Sequence, residues 1–263
     1  MNRKPTGWLP AIVFALALAA VLSLAACGGG GGGEELSPTP ADETGPRLWL
    51  PMHEGSGGVV HDESGYGNHG TLQGGAAWAT QDGVVCVKFI DGDDYISIPA
   101  AASINNLWPT TFGAWVWVPV GQMAGGNSHA RIFSKQETAG RHQYLLYDPT
   151  CIRAHRFYGG QNSFGMSSTG AVVEGEWHYY VWQLLPDHHF AFYRDGVSQG
   201  LTGESLRPGT PYDDSAYAGR INGLVDNTQY LETGYIADVK YWPRALTPEE
   251  ILAEYESTRG LYP

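Results

Sequence analysis

Oxygen donors and turn formers crowd into one loop, Asp62-Glu63-Ser64-Gly65-Tyr66-Gly67-Asn68-His69-Gly70-Thr71-Leu72. Gly65, Gly67 and Gly70 permit backbone angles with positive φ, and Asp62 and Asn68 can bond their own backbone two residues on. A loop of this composition holds an irregular shape, and such shapes often bind an ion or present a ligand surface. A structural turn between two strands is the competing reading. Calcium suits the donor types, because it takes six to eight oxygens from carboxylates, amides and backbone carbonyls.

The other reactive residue types give less. Nine histidines occur, and His53, His61 and His69 lie near one another. Their spacing is neither that of a zinc finger nor that of a His-Glu-x-x-His helix. There is no Gly-x-Ser-x-Gly turn and no phosphate loop. The acidic turn Asp91-Gly92-Asp93-Asp94 reads as a hairpin turn rather than a second ion site. Arg153 and His155 stand at alternate positions of a strand-like run, so they share a face that must meet solvent or a cleft. Trp108, Tyr144, Tyr158, Trp182 and Gln161 are further residues of types that bind sugars, although a β-sandwich also needs aromatics as filling.

The elements that position these groups are strands. Runs of five to eight residues rich in Tyr, Trp, Thr and aliphatic side chains alternate with turn signals, the pattern of an antiparallel sandwich. The spacing predicts strands at 47–52, 84–90, 95–98, 111–118, 130–134, 142–147, 152–158, 178–185, 189–194, near 197, and at 217–221 and 234–241. Thr111–Val118 is apolar at nearly every position, which predicts a central strand covered on both faces. One helix is signalled at the end. Thr247-Pro248-Glu249-Glu250 forms a capping box with proline at the first helical position, and Ile251, Leu252 and Tyr255 follow as an apolar stripe.

The N-terminus has its own organisation. Arg3 and Lys4 precede an apolar run from Leu9 to Ala26, and small residues lead into Cys27, as in a secretory signal. The alternative is a membrane-spanning helix of roughly 18 residues. Leu24-Ala25-Ala26-Cys27 resembles the bacterial lipobox, in which the cysteine is acylated and becomes the new N-terminus. On that reading residues 1–26 are the signal peptide. The protein is then exported and lipid-anchored at the cell envelope, and Gly28 points to the outer membrane if the cell has two. Residues 27–45 hold the lipidated Cys27, six consecutive glycines and two prolines, Pro38 and Pro40. They read as a tether with a reach of roughly 23 Å. Residues 46–263 form one domain.

Removing Arg3 and Lys4 takes the formal charge from −12 to −14. Such a chain repels phosphate backbones, which argues against nucleic acid as a partner. With Cys27 acylated, Cys86 and Cys151 remain. An oxidising compartment allows them to pair, and two buried free thiols are the alternative.

Seven pieces taken in order carry a family likeness. They are Asp62-x-Ser64-Gly65-x-Gly67-Asn68-His69-Gly70-Thr71-Leu72, Phe89-x₃-Asp93-Asp94-Tyr95-Ile96-x-Ile98, Phe112-x-Ala114-Trp115-Val116, Trp177-His178, Tyr193-x-Asp195-Gly196, Gly234-Tyr235-Ile236-x-Asp238-Val239-Lys240-Tyr241, and Arg244-Ala245-Leu246-Thr247-x-Glu249-Glu250-Ile251. Together they resemble the LamG-like (laminin G-type) domains of the concanavalin A-like lectin/glucanase superfamily. The chain departs from the family pattern at Ile90 and Asp91, where Asp-Gly is usual, and at Ala237.

The resemblance implies an all-β jelly roll of two curved antiparallel sheets with the N- and C-terminal strands side by side and one short C-terminal helix. It also implies a calcium ion at the sandwich edge, held by Asp62, Asn68 and Asp238 with carbonyls of the loop. The bland alternative is an Asx-turn at Asp62 and a satisfied buried carboxylate at Asp238. The superfamily's glucanases carry Glu-x-Asp-x-x-Glu or Glu-x-Asp-x-Glu on one strand. The nearest approach here is Glu174-Gly175-Glu176, in a turn. The expectation is therefore a non-catalytic module that binds carbohydrate or a cell-surface protein, with Arg153 and His155 as ligand contacts. A glycoside hydrolase or lyase and a structural envelope module are the alternatives.

Overall fold

The computed structural model describes residues 44–263 apart from 125–128, 136–141, 148–149, 159–160, 207–212, 224–230 and 232. In chain order the strands are β1 (Leu48–Leu50), β2 (Val59–Val60), β3 (Gly70–Gln73), β4 (Ala77–Gln81), β5 (Val84–Lys88), β6 (Tyr95–Ile98), β7 (Thr110–Trp117), β8 (His129–Lys135), β9 (His142–Tyr147), β10 (Cys151–Tyr158), β11 (Gln161–Met166), β12 (Trp177–Leu184), β13 (Phe190–Arg194), β14 (Val197–Ser198), β15 (Gly203–Ser205), β16 (Gly219–Ile221) and β17 (Tyr235–Trp242). Among the described residues one α-helix, α1 (Pro248–Thr258), follows.

The strands form two antiparallel sheets. The first runs β14-β13-β12-β7-β17-β5-β4 and also holds β1, which pairs with β17. The second runs β15-β11-β10-β9-β8-β16-β6-β3-β2. Between them lies the main core, in which Phe112, Phe133, Tyr144, Trp182 and Tyr241 meet ring to ring. A smaller apolar cluster of Trp115, Trp177, Tyr179, Ala237, Trp242 and Ile251 covers the opposite face of the first sheet. The nearly unbroken apolar run of β7 is explained by these two clusters. Its partners are β12 and β17, and Phe112 and Ala114 face one cluster while Trp115 faces the other.

The capping box forms as the sequence predicts. The Glu250 amide donates to the Thr247 hydroxyl at 3.3 Å, and the Thr247 amide to the Glu250 carboxylate at 2.8 Å. This sets the start of α1, so that Ile251 seals the smaller cluster and Thr258 accepts a hydrogen bond from the Trp115 indole.

One irregularity organises the edge. On one side β17 pairs with β7 throughout, apart from a bulge between Ala237 and Lys240. On its other side two strands share it. Tyr235 and Ile236 pair with β5, whereas Val239 to Tyr241 pair with β1. The changeover falls at Asp238, a non-glycine residue with φ of 44°. Such backbone angles cost energy and need surrounding support.

Candidate functional site

The loop from Asp62 to Asn68 is shaped by the Asp62 carboxylate. Its Oδ1 accepts the amides of Trp49 (2.9 Å) and Ser64 (3.0 Å), and its Oδ2 accepts the amide of Asn68 (2.7 Å). Asn68 in turn donates to the Arg47 carbonyl at 2.6 Å and accepts from the Ser103 hydroxyl at 3.0 Å. Three N–H donors on one buried carboxylate fix the loop.

Trp49 ties this loop to the last strand. Its backbone amide goes to Asp62 and its indole N–H to Asp238 Oδ1 at 2.7 Å. The other Asp238 oxygen faces Lys240 Nζ at 3.7 Å, and that ammonium bonds Glu254 on α1 at 2.7 Å. It also lies 5.0 Å from the centroid of the Trp49 ring. Burial pushes the Asp238 carboxyl above the usual range, against the opposing pull of Lys240 and the Trp49 indole.

These residues, as placed, do not fit a calcium ion. Each side-chain oxygen of Asp62, Asn68 and Asp238 is turned towards an N–H, O–H or ammonium group. The Lys240 ammonium supplies the positive charge beside Asp238 and would repel a divalent ion. The edge clasp implied by the family likeness is present, but a tryptophan and a lysine make it. The satisfied-carboxylate alternative describes Asp238, and the Asx-turn describes Asp62.

The sharing of β17 opens a cleft of about 520 Å³ where β1 and β5 part. Trp49 and Pro51 line one side, Gly83, Val84 and Val85 the other, and Asp238 lies between them. Thr258, Leu261 and Tyr262 approach from the C-terminal end, and His53 and Glu63, paired at 3.4 Å, stand at the rim. Two large apolar side chains are left open here, Val85 at 36 % and Leu261 at 69 % exposure. The walls are mostly hydrocarbon with a few polar groups, and the volume lies in the range of small-ligand sites. A second cleft of about 260 Å³ lies across Tyr262, lined among others by Trp177, Glu176, His178, Asp195 and Arg259. Tyr262 stacks on Trp115 at 4.1 Å and forms a wall of both.

The remaining residues singled out in the sequence fall elsewhere. Arg153 and His155 are half-buried on the face of β10 opposite the core residues Ile152 and Ala154. Arg153 sits 4.7 Å over the Phe164 ring, and His155 lies 6.1 Å from it. They are in the second sheet, so the structure does not bring them to the cleft. Tyr144 and Trp182 are core residues, and the side chains of Tyr158 and Gln161 lie outside the described residues. Cys27 lies outside them as well.

The disulfide allowed by the sequence is not formed. Cys86 and Cys151 are free and buried, one in each sheet. Burial raises the Cys86 thiol to about 11, which leaves it unreactive.

Among the described residues, one group of three could hold a metal: Asp91, Asp93 and Asp94. The two oxygens of Asp94 accept the backbone amides of Gly75, Ile90 and Asp91, so its role is to fix the turn. Glu174 likewise accepts the amides of Gly121 and Met123, which fixes the turns at those residues. His61 bonds Glu54, and His69 accepts the amide of Asp62.

Sequence reasoning missed Trp49, Lys240, Val85, Leu261 and Tyr262 as neighbours. It also missed a buried ionic cluster in which Lys135 Nζ bonds Asp214 Oδ1 at 3.0 Å and Asn105 Oδ1 at 2.8 Å, with Arg156 3.7 Å from the same aspartate. The Asp238-x-Lys240 spacing was the one available signal, because alternate strand residues share a face.

Comparison with known proteins agrees with the fold. The binding domain of Paraclostridial Mosquitocidal Protein 1 superposes with a TM-score of 0.65 at 12 % identity, over 82 % of this chain and 52 % of that one. The receptor binding domain of botulinum neurotoxin C/D mosaic serotype gives 0.63 at 14 %, over 82 % and 52 %. The botulinum neurotoxin serotype D ligand binding domain, in complex with N-acetylneuraminic acid, gives 0.61 at 13 %, over 82 % and 51 %. This chain thus spans about half the length of those structures. No curated protein sequence matches it. The laminin G-type model described as "Concanavalin A-like lectin/glucanases superfamily" matches residues 91–252, more than half of the chain, and the chain belongs to that family.

Proposed function

We propose that this protein is a surface lipoprotein whose LamG-like domain binds carbohydrate or a cell-surface partner without catalysing a reaction, and that the cleft between β1 and β5 receives the ligand. One observation carries the reading: an open, largely apolar cleft of about 520 Å³ with Trp49 and Tyr262 in its walls and Val85 and Leu261 exposed within it. Such a surface suits the apolar face of a sugar ring, and its few polar groups orient the hydroxyls. Glycoside hydrolysis by the usual route needs two carboxylates astride the scissile bond. Here Asp238 is engaged by Trp49 and Lys240, and Glu63 by His53.

The toxin binding domains of the same fold support a binding role, and one of them is described with a bound sugar. The anchor rests on Leu24-Ala25-Ala26-Cys27 and the glycine-rich stretch after it. A glycan array with the full-length protein in detergent tests the binding role. Hits that vanish in Leu261→Arg are expected, and silence across the array would sink it. Release of reducing sugar from any glycan would instead favour a hydrolase. Labelled palmitate should enter the wild type and not Cys27→Ser.

A further inference from the structure

The charges around the cleft say which sugars it takes. Glu63 and Asp238 line the larger cleft together with His53, which faces Glu63 at 3.4 Å, and neither Arg nor Lys does. Across Tyr262, the smaller cleft presents Glu176 and Asp195 with His178, which lies 2.7 Å from Asp195 and 3.9 Å from Glu176. Its one guanidinium, Arg259, is paired with Glu256 at 3.1 Å. Lys240 lies close by but is held by Glu254 and Asp238. Residues 44–263 carry 13 Lys and Arg against 23 Asp and Glu, so the field of the whole domain, 13 − 23 = −10, has the same sign.

From this pattern we infer that the cleft selects amino-bearing sugars and rejects acidic ones. The inference rests on the reading of the cleft as a sugar site. A sugar carboxylate needs cationic or N–H donors to replace its water, most effectively an Arg fork. Here it would meet two carboxylates, with the His53 imidazole, already facing Glu63, as the one basic group in the lining. A protonated amine gains in two ways. It can replace His53 as the partner of Glu63 at the rim, and it can lie against the faces of Trp49 and Tyr262 that Lys240 and Trp115 leave uncovered. An oligosaccharide that continues past Tyr262 meets Glu176 and Asp195, which favour the same charge.

The test is calorimetric titration of the full-length protein in non-ionic detergent. Three probes differ in charge: a de-N-acetylated chito-oligosaccharide with protonated amines, its N-acetylated neutral counterpart, and an oligogalacturonate. Affinity is expected to fall in that order, and added salt should weaken only the first. Glu63→Gln should lower affinity for the amine-bearing probe roughly three- to fivefold, the scale of one partly exposed ion pair, and leave the neutral probe unchanged. Leu261→Arg, at an exposed position, should abolish binding of both. An oligogalacturonate that binds as tightly as the amine-bearing probe would overturn the charge selection while leaving the sugar site standing. No binding of any probe, or binding indifferent to Leu261→Arg, would overturn the sugar site itself and the inference with it.

Discussion

Two Asp–Lys pairs lie among the described residues of this sandwich, and their surroundings make them opposites. Inside, Lys135 and Asp214 sit where side-chain exposure is 0 % and 3 %. At the edge, Asp238 and Lys240 keep 8 % and 10 % side-chain exposure, Asp238 lining the cleft and Lys240 bonded to the partly exposed Glu254. In the interior pair the cation is displaced, since burial lowers the Lys135 ammonium below its ordinary value. In the edge pair the anion is displaced, and burial raises Asp238. Desolvation moves each affected group towards its neutral form. The interior pair closes one end of the core by fixing the loops at Asn105 and Asp214. The edge pair fills a place where a metal ion was expected. A fixed ammonium can do an ion's structural work, but it cannot be removed by a chelator.

Breaking the interior pair should cost most. Lys135→Met strips the buried aspartate of its shortest cationic contact, and urea denaturation should show a loss of about 3–5 kcal/mol. At the edge, Asp62→Ala leaves three amides without their acceptor. The expected loss is about 3 kcal/mol, since each bond to a charged group contributes a substantial share. If both variants cost under 1 kcal/mol, the contrast between ion-paired and amide-bound carboxylates is wrong.

The third prediction sharpens the contrast by pH. Asp238 has a folded value above its unfolded one, so the native state holds the extra proton between the two. The wild type should therefore gain stability relative to Asp238→Asn as the pH falls through the raised value towards 3.8. Lys135 has the opposite sign. Its folded value is lowered, so the penalty of burying the cation is relieved as the pH rises through that value towards 10.5. Denaturation of wild type and variants across this range reads both slopes. The smallest effect should come from metal. Millimolar calcium or a chelator should leave the melting temperature unchanged, and a clear rise with calcium would show that the clasp accepts an ion after all.

Much of the frame was legible in residue types. The Thr247 capping box and the apolar run of β7 are local signals, and each met the partners its pattern requires. The strands that escaped the sequence reading are β2, β3, β4, β11 and β15, and β3 and β11 lie one strand in from the edges of the second sheet. β4 is exposed or half-buried along its length, and β2, β4 and β15 are edge strands with little to bury. Arg156 and Lys135 lie on core-facing positions of strands, where their charge hides them from any search for apolar alternation.

The opening loop shows the division most clearly. Asp62, Asn68, Gly65 and Gly67 determine a tight, amide-bonded turn, because two of the three amides on the Asp62 carboxylate come from Ser64 and Asn68 within it and the two glycines supply its positive φ angles. Nothing local determines that Trp49 bridges Asp62 to Asp238, 189 residues away from Trp49, or that Lys240 takes the cation's place. The cleft belongs to the same class. It exists because β1 and β5 share one edge of β17 and separate at Asp238, and its walls come from segments far apart in sequence. Periodicity and turn chemistry name the elements. The edge they compete for, and the gap this leaves, are decided only when the sheet is assembled.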